Sequence, residues 1–335
     1  MSEMLLSVII PAYHSEATIA ETIESISREF ENRINYEVLV VENGSADHTS
    51  QVVEKLSGQG IPVKLFRSKQ GVSNARNAGI AKASGIWLMF ADADDTLHPG
   101  CGERLIEIIR ESESDLCVFG HQSGKIRRPV CDRPEIFRGS EVEAARVRML
   151  QVPTSYMQVW AKLFRRQKAA DAGIWFEPEL RLAEDSDFTF QYTAFCQSIA
   201  FYPEIVYDYH INPVSVMHTF DQVKVEGYAR AMEVMTDRMS QEPDVIRQAC
   251  RQYILAHFHI AMVNGVFAGN SSESFRAKVH KVRQTAGRPV FAEAIRQAPL
   301  TSGGWLSRGM SLLLKGHMYG LMSIIYMVRV WQKKR

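Results

Sequence analysis

The sequence predicts an α/β fold, a mostly parallel sheet flanked by helices, with a C-terminal helical extension. Three observations carry that expectation. Apolar, β-rich runs without alternation recur at residues 5–10, 38–41, 63–66 and 86–91, as in strands buried on both faces. Between them the apolar spacing changes to three- and four-residue steps, the mark of an amphipathic helix. The connections are short, so successive strands run parallel with helices crossing between them.

Composition bounds the answer. A chain of 335 residues is two domains, or one large domain with an extension. Hydrophobic residues at 46% and charged residues at 23% suit a soluble globular core. A net charge of +1 carries no nucleic-acid footprint. The five cysteines are odd in number and never closely spaced, so they predict reduced, mostly buried thiols and not a disulfide framework or zinc site. The first apolar run lacks a basic leader and is cut by Pro11, which makes it a strand and not a signal peptide. No window reaches the roughly 18 apolar residues needed to span a bilayer. The expected compartment is the cytoplasm.

In chain order, residues 5–10 form the first strand, ended by Pro11-Ala12-Tyr13. From Ser15 or Glu16, the positions Ile19, Ile23, Ile26 and Phe30 define a helix. Residues 38–41 are the second strand, closing in Glu42-Asn43-Gly44-Ser45-Ala46-Asp47, and a helix runs on to about Leu56. Residues 63–66 are a third strand, and residues 71–83 a helix carrying Asn74, Arg76 and Asn77. The central run 86–91 then delivers Asp92, Asp94 and Asp95. Residues 116–121 read as a strand and 124–134 as a basic loop with Lys125, Arg127, Arg128 and Arg133. Glu184 and Asp185 precede a helix over 189–197, and 206–210 is a last strand. Beyond Phe220 the chain is helical at 222–239, 243–266, 274–285 and 289–297, with a Thr301-Ser302-Gly303-Gly304 breaker. The expected domains are 1–218 and 219–335.

Open α/β sheets bind ligands beyond the carboxyl ends of their strands. There the order of strands places Tyr13, Glu42-Asn43 and Asp92-x-Asp94 along one edge. Carboxylates two residues apart can share one hard divalent cation, leaving its other positions to phosphate oxygens and water. Each feature also has a plain structural explanation. Asp95 could cap a helix, Asn43-Gly44-Ser45 could be a simple turn, and Glu184-Asp185 could complement a helix dipole. Together, in order along one edge, they favour a sugar-nucleotide site. No G-x-G-x-x-G or G-x-x-x-x-G-K-[ST] is present, which argues against a dinucleotide dehydrogenase and a P-loop NTPase.

Four motifs carry a more specific resemblance: S-V-I-I-P-A-Y-H at 7–14, V-V-E-N-G-S-A-D-H-T at 40–49, G-V-S-N-A-R-N-A-G-I at 71–80 and F-A-D-A-D-D at 90–95. Over residues 5–215 the chain resembles family 2 glycosyltransferases of the GT-A fold, of the bacterial polysaccharide-biosynthesis type. The resemblance implies that Pro11, Ala12, Tyr13 and Glu16 surround the nucleobase and that Asn43 meets its edge. It implies that Arg76 lies near base or diphosphate, and that Asp92-Ala93-Asp94 is the D-x-D of the donor site. Asp94, with Asp92, would hold Mn2+ or Mg2+. By the same resemblance Asp185 is the catalytic base, Glu184 supports the acceptor side and His210 contacts the diphosphate, with the loop 215–218 closing over it. Asp187 belongs to the same acidic motif. The implied enzyme is an inverting, metal-dependent transferase moving a sugar, hexosyl or N-acetylhexosaminyl, from a nucleotide-diphospho-sugar to a glycan or lipid-linked acceptor.

The chain departs from the family pattern at His14, at Glu42-Asn43 in place of Asp-Asp, and at Lys69. An Asn at position 43 can both donate and accept at a uracil edge, which keeps UDP as the expected carrier. Two alternatives are a sugar-nucleotide nucleotidyltransferase and a non-catalytic nucleotide- or glycan-binding module. The first would need a Gly-rich basic loop where Pro11-Ala12-Tyr13-His14 stands.

The tail 303–335 holds six basic residues and no acid, a formal +6 that leaves −5 on the rest of the chain. Trp305 and Trp331 lie near its two ends, among leucines, isoleucines and methionines. That pattern predicts a basic amphipathic helix at the cytoplasmic membrane surface, making the protein peripheral at its inner face. A last helix packed into the core is the competing expectation.

Overall fold

The computed structural model describes residues 3–211, 222–268, 273–299 and 305–333. The expected boundary at 218/219, the loop 215–218 with its Ser215 and His218, and the breaker 301–304 lie outside the described residues. The chain divides into two compact units, residues 1–145 with 154–212, and residues 146–153 with 213–335.

The first unit is built on a mixed sheet. Its opening half alternates β1 (Leu6–Ala12), α1 (Ile19–Phe30), β2 (Tyr36–Glu42), α2 (Thr49–Gly58), β3 (Val63–Arg67), α3 (Val72–Lys82) and β4 (Trp87–Phe90). Strands β3, β2, β1 and β4 lie side by side and run parallel. β1 and β2 are buried along their whole length, which is why their sequences are apolar without alternation. The α1 stripe of Ile19, Ile23, Ile26 and Phe30 is fully buried in the core beneath them. Helix α3 lies so close to β1 that a Cβ on Gly79 would stand 2.4 Å from Ile9 Cγ2. Glycine is what lets that helix, and the Arg76 it carries, settle on the sheet.

The second half departs from the parallel expectation. Along the chain follow β5 (Thr96–Leu97), α4 (Gly102–Glu111), β6 (Leu116–Ser123), β7 (Ile126–Arg128), β8 (Glu135–Arg138), α5 (Val142–Gln151, which passes into the second unit from Arg146), α6 (Pro153–Tyr156), β9 (Lys162–Arg165), α7 (Arg166–Asp171), α8 (Glu184–Ala194) and β10 (Ser198–Tyr209). The sheet order is β3-β2-β1-β4-β9-β6-β10-β5, with β7 on β6 and β8 on β10. β9 inserts antiparallel between β4 and β6, and β5, β7 and β8 are antiparallel too. The basic segment 124–134 is not all loop: β7 folds back on β6 as a hairpin, its turn made by Gly124 at φ 57°. Helix α8 begins at Glu184, five residues earlier than expected, so both acids sit in its first turn.

The second unit holds α9 (Gln222–Met239), α10 (Asp244–Ala261) with a π-helical end over Met262–Val266, α11 (Phe275–Ala286), α12 (Pro289–Gln297), α13 (Trp305–Lys315) and α14 (Tyr319–Lys333). Arg146 reaches Glu242 with both guanidinium nitrogens, at 2.9 and 2.6 Å. His259 Nδ1 lies 2.7 Å from the Tyr326 hydroxyl, tying α10 to α14. The tail is two helices and not one, because the chain turns at Gly316 and His317, the latter left-handed at φ 55°. Of the cysteines, Cys101, Cys117, Cys131 and Cys250 are buried and Cys196 is partly so; all five are reduced.

Candidate active site

The carboxyl ends of β1, β2 and β4 open onto one edge. β1 ends in Pro11 and Ala12, both buried within the strand. The chain then turns through Tyr13, which is 48% exposed, and His14, which is left-handed at φ 50°. The two rings meet edge to face at 4.3 Å. The loop after β2 is fastened to this turn by backbone donors. His14 N donates to Ser45 Oγ at 3.0 Å, Ser15 N to Thr49 Oγ1 at 2.9 Å and Glu16 N to Asp47 Oδ2 at 3.0 Å. His48 N donates back to Glu16 Oε2 at 2.8 Å, so the Glu16 carboxylate serves this loop pairing. Glu42 is buried and accepts from Gly44 N at 2.6 Å and from Ser45 N, which folds the turn beneath Asn43. Asn43 is itself buried, its backbone N–H donating to the Ala12 carbonyl at 3.1 Å. The Glu42 side chain thus shapes the turn, while the backbone of Asn43 carries the β1–β2 pairing one step past Ala12.

The β4 end is more tightly held. Asp92 N donates to the Tyr207 hydroxyl at 2.9 Å, and that hydroxyl donates to Asp95 Oδ2 at 2.8 Å. Asp95 Oδ1 accepts from His210 N at 2.7 Å. Asp95 is therefore a buried tie between β4 and β10 and not a helix cap. Burial, and then the neighbouring Asp92 charge, push its carboxyl up to about 8. The Tyr207 ring stacks on Trp160 at 4.8 Å and 6°. Ala93 is buried, with its carbonyl accepting from Thr22 Oγ1 at 3.1 Å, while Asp92 and Asp94 keep partial exposure on either side.

Arg76 joins this end to α8. From α3 it donates to Asp92 Oδ1 at 3.0 Å and to Glu184 Oε1 at 2.8 Å, with its guanidinium 5.3 Å from the Phe176 ring centre. Burial works against its charge, but Asp92, Glu184 and Asp185 outweigh burial and hold the guanidinium firmly protonated. Asn77 fixes the neighbouring segment by a reciprocal pair of 2.8 Å bonds with the Phe176 backbone. The acids of α8 do not cap their helix with side chains. The cap position is Ala183, left-handed at φ 58°, and Asp185 Oδ1 accepts from the next amide, Ser186 N, at 2.7 Å. Burial, and then Glu184, push the Asp185 carboxyl up to about 7. Asp187 accepts from Gln191 Nε2 at 2.8 Å along the same helix.

Among the described residues no three His, Cys, Asp or Glu side chains converge into a self-sufficient metal site. What the β4 end offers is hard carboxylate oxygen from Asp94 and Asp92, the second already shared with Arg76. That donor set fits Mn2+ or Mg2+ held by one or two carboxylates and completed by donor phosphates. His210 Nδ1 lies 3.1 Å from the Asp94 carbonyl, which can only accept, so Nδ1 carries the proton and Nε2 is the ring's remaining polar atom. The geometry thus gathers Arg76, Asp92, Glu184, Asp95 and His210 into one hydrogen-bonded constellation. Tyr13, Glu16 and Asn43 stand together at the β1–β2 mouth. Tyr207 belongs to the first group and had no role in the sequence expectation. The Tyr-x-Tyr-His alternation at 207–210 is the signal that could have exposed Tyr207.

Residues 7–171 match the family described as Glycosyl transferase family 2. The chain is 26% identical over 319 residues to the uncharacterized glycosyltransferase EpsJ of Bacillus subtilis (strain 168), covering 88% of this chain and 87% of EpsJ. It is 26% identical over 298 residues to the poly(ribitol-phosphate) beta-N-acetylglucosaminyltransferase TarS of Staphylococcus aureus (strain Mu50), covering 88% of this chain but 50% of TarS. TarS 1–349 in complex with UDP-GlcNAc superposes with a TM-score of 0.67 at 18% identity, covering 98% of this chain and 92% of that one. The mannosyltransferase PcManGT of Pyrobaculum calidifontis, in complex with GDP-Man and Mn2+, gives 0.56 at 15% identity over 100% and 89% of the two chains. The shared architecture is the GT-A fold, and the chain belongs to the family 2 glycosyltransferases.

Proposed function

We propose that the protein is an inverting, metal-dependent glycosyltransferase that moves a sugar from a UDP-sugar to a hydroxyl of a glycan or lipid-linked acceptor in cell-surface polysaccharide synthesis. The observation that carries this reading is the Arg76 clasp. One buried guanidinium holds the strand-end Asp92 and the α8 acid Glu184, so the D-x-D and the acceptor-side acids form one site. TarS, solved with UDP and with UDP-GlcNAc, supports the choice of carrier. Pro11, Ala12, Tyr13 and Asn43 would receive the base, with Glu16 bracing their loop, and Asp92 and Ala93 would lie at the ribose.

Asp185 takes the acceptor hydroxyl's proton as that oxygen bonds to the anomeric carbon, and the bond from that carbon to the diphosphate breaks. An α-linked donor then gives a β-linked product. A divalent ion on Asp94 and Asp92 would supply charge stabilisation for the departing diphosphate. Asp185 must be ionised to act, so turnover should rise with pH through the elevated titration of its carboxyl.

The test is a thermal-shift panel of nucleotide sugars with and without Mn2+, followed by UDP release. UDP-GlcNAc with Mn2+ should raise the melting temperature by mass action, and Asp94→Asn should abolish both that rise and UDP release. No rise with any UDP-sugar, or wild-type turnover by Asp94→Asn, overturns the reading.

We also infer a peripheral membrane location. Among the described residues no helix is long and apolar enough to cross a membrane. Helix α14 nevertheless leaves Leu321, Ile324, Val328 and Trp331 about half exposed along one stripe, while Met322 and Tyr326 on its other side are buried. A stripe of that kind in a basic, acid-free segment suits anionic headgroups. The full chain should sediment with phosphatidylserine vesicles at low salt, and Leu321→Gln with Ile324→Gln should release it. Equal sedimentation of both proteins removes this location.

A further inference from the structure

Lys162 opens β9 with no exposed surface, and its Nζ has no hydrogen-bond partner among the described residues. A buried ammonium without a partner is costly, so what faces it matters. The packing of β9 on α8 gives the answer. Phe164 meets Phe188 at 5.5 Å and Tyr192 at 4.9 Å, and the Tyr192 hydroxyl donates to the Arg165 carbonyl at 3.1 Å. Alternate residues of a strand share a face about 7 Å apart, so Lys162 lies on the Phe164 face, one step toward the start of β9. Asp185 lies three residues before Phe188, on the same side of its helix and about 4.5 Å along the axis. The order 165, 164, 162 thus runs beside 192, 188, 185, which puts Lys162 and Asp185 at the same end of the β9–α8 contact.

Two other ionisable groups lie near the pair. Arg76, on α3, is hydrogen-bonded to Glu184 and Asp92, and its charge also opposes the effect of burial on Asp185. His121, on β6, is kept neutral by burial and by the cations Arg128 and Lys162 beside it, which together push it down to about 4. Facing Lys162 is therefore Asp185, the one charge that opposes the effect of burial on its amine, which titrates at about 7. Facing Asp185 are Glu184 on its own helix, Asp92 and Arg76. Both members of the pair directly follow, or lie one residue beyond, an alanine forced into the left-handed region, Ala161 at φ 54° and Ala183 at φ 58°. Strain of that kind persists only where surrounding structure imposes it, and it gathers at working sites.

We propose that Lys162 is a positioning residue for transfer: its buried ammonium keeps the Asp185 carboxylate ionised and in place through charge and not through a hydrogen bond. This rests on Asp185 being the base. Lys162 has no exposed surface, so its influence on turnover passes through Asp185.

The test follows the lysine side chains of the full-length protein, labelled with 13C at Cε, by NMR against pH, with Lys162→Arg and Lys162→Met assigning the resonance. Lys162 should titrate well below the other lysines, and Asp185→Asn should lower it further by about one to three pH units. In UDP release from UDP-GlcNAc, Lys162→Met should move the acid limb of kcat/KM to higher pH, and Lys162→Arg should restore it. A Lys162 that titrates with the surface lysines, or that ignores Asp185→Asn, overturns the proposal. So does a Lys162→Met protein that loses the same fraction of activity at every pH. Should Lys162→Met fail to fold, the titrations of wild type, Lys162→Arg and Asp185→Asn decide alone. Near-wild-type turnover by Asp185→Asn would remove the base and the positioning role with it, even where the two charges prove coupled.

Discussion

The two ends of the central sheet treat buried charge in opposite ways. At the amino end Glu37, at the start of β2, is buried and fully served. It accepts from Ser7 Oγ at 2.8 Å, Ser84 N at 2.8 Å, Ser84 Oγ at 2.6 Å and Lys64 Nζ at 2.8 Å. Burial works to raise its pKa, but these four donors outweigh it and hold the carboxyl below its ordinary value of 4.5. At the carboxyl end Asp95 and Lys162 are buried and Asp185 is partly so, and there burial, joined at the two acids by neighbouring carboxylates, outweighs their partners, so all three titrate toward neutrality. One end suits stability and the other suits the proposed reaction, since groups poised to move protons need partners that leave them unsettled.

The sharpest way to break this contrast is at Asp185. Asp185→Asn should lower turnover by about 10²–10⁴-fold while UDP affinity is retained. Its melting temperature should not fall. A carboxyl whose folded pKa is raised loses stability on ionising, so the neutral amide relieves a strain present at pH 8. Isothermal titration of UDP and a thermal melt at that pH check both halves. A clear loss of stability would place Asp185 with the structural acids.

Next in size is Arg76→Met. Removing one buried guanidinium strands Glu184 and Asp92, and breaking such a pair costs about 3 kcal/mol or more. Urea unfolding should register that loss together with loss of UDP release. Arg76→Lys should recover part of the stability but not the double clasp, because an ammonium is a point charge and not a planar fork.

The smallest effect is expected at the other end. Glu37→Gln should cost about 1–3 kcal/mol in urea unfolding and leave UDP release by the folded protein unchanged. Because the folded pKa of Glu37 is depressed, its contribution is fully present above its ordinary value of 4.5 and is lost as pH falls through the folded value. The stability difference between wild type and Glu37→Gln should therefore shrink below that pH. A difference that persists there would mean that the side chain acts by shape and not by charge.

The sequence by itself determined the local half of this protein. The unalternating runs at β1, β2 and β4 and the stepped apolar positions of α1 follow from burial and backbone period, which act over a few residues. The same locality placed Tyr13, Asn43 and Asp92 at one sheet edge, because parallel strands with short crossovers leave little freedom in where their ends lie. What remained for the tertiary structure were relations between distant segments. β9 inserted antiparallel because pairing partners are chosen across the fold, and no period in 162–165 encodes a direction. Asp95 reads in sequence like a helix cap and becomes a buried tie because Tyr207 and His210 arrive from more than 100 residues away. The Arg76 clasp spans 108 positions to Glu184, and Lys162 shares one end of a contact with Asp185 only because β9 packs on α8. Desolvation and Coulomb attraction depend on distance in space and not along the chain, so charges of this kind take their values only once the fold has closed around them.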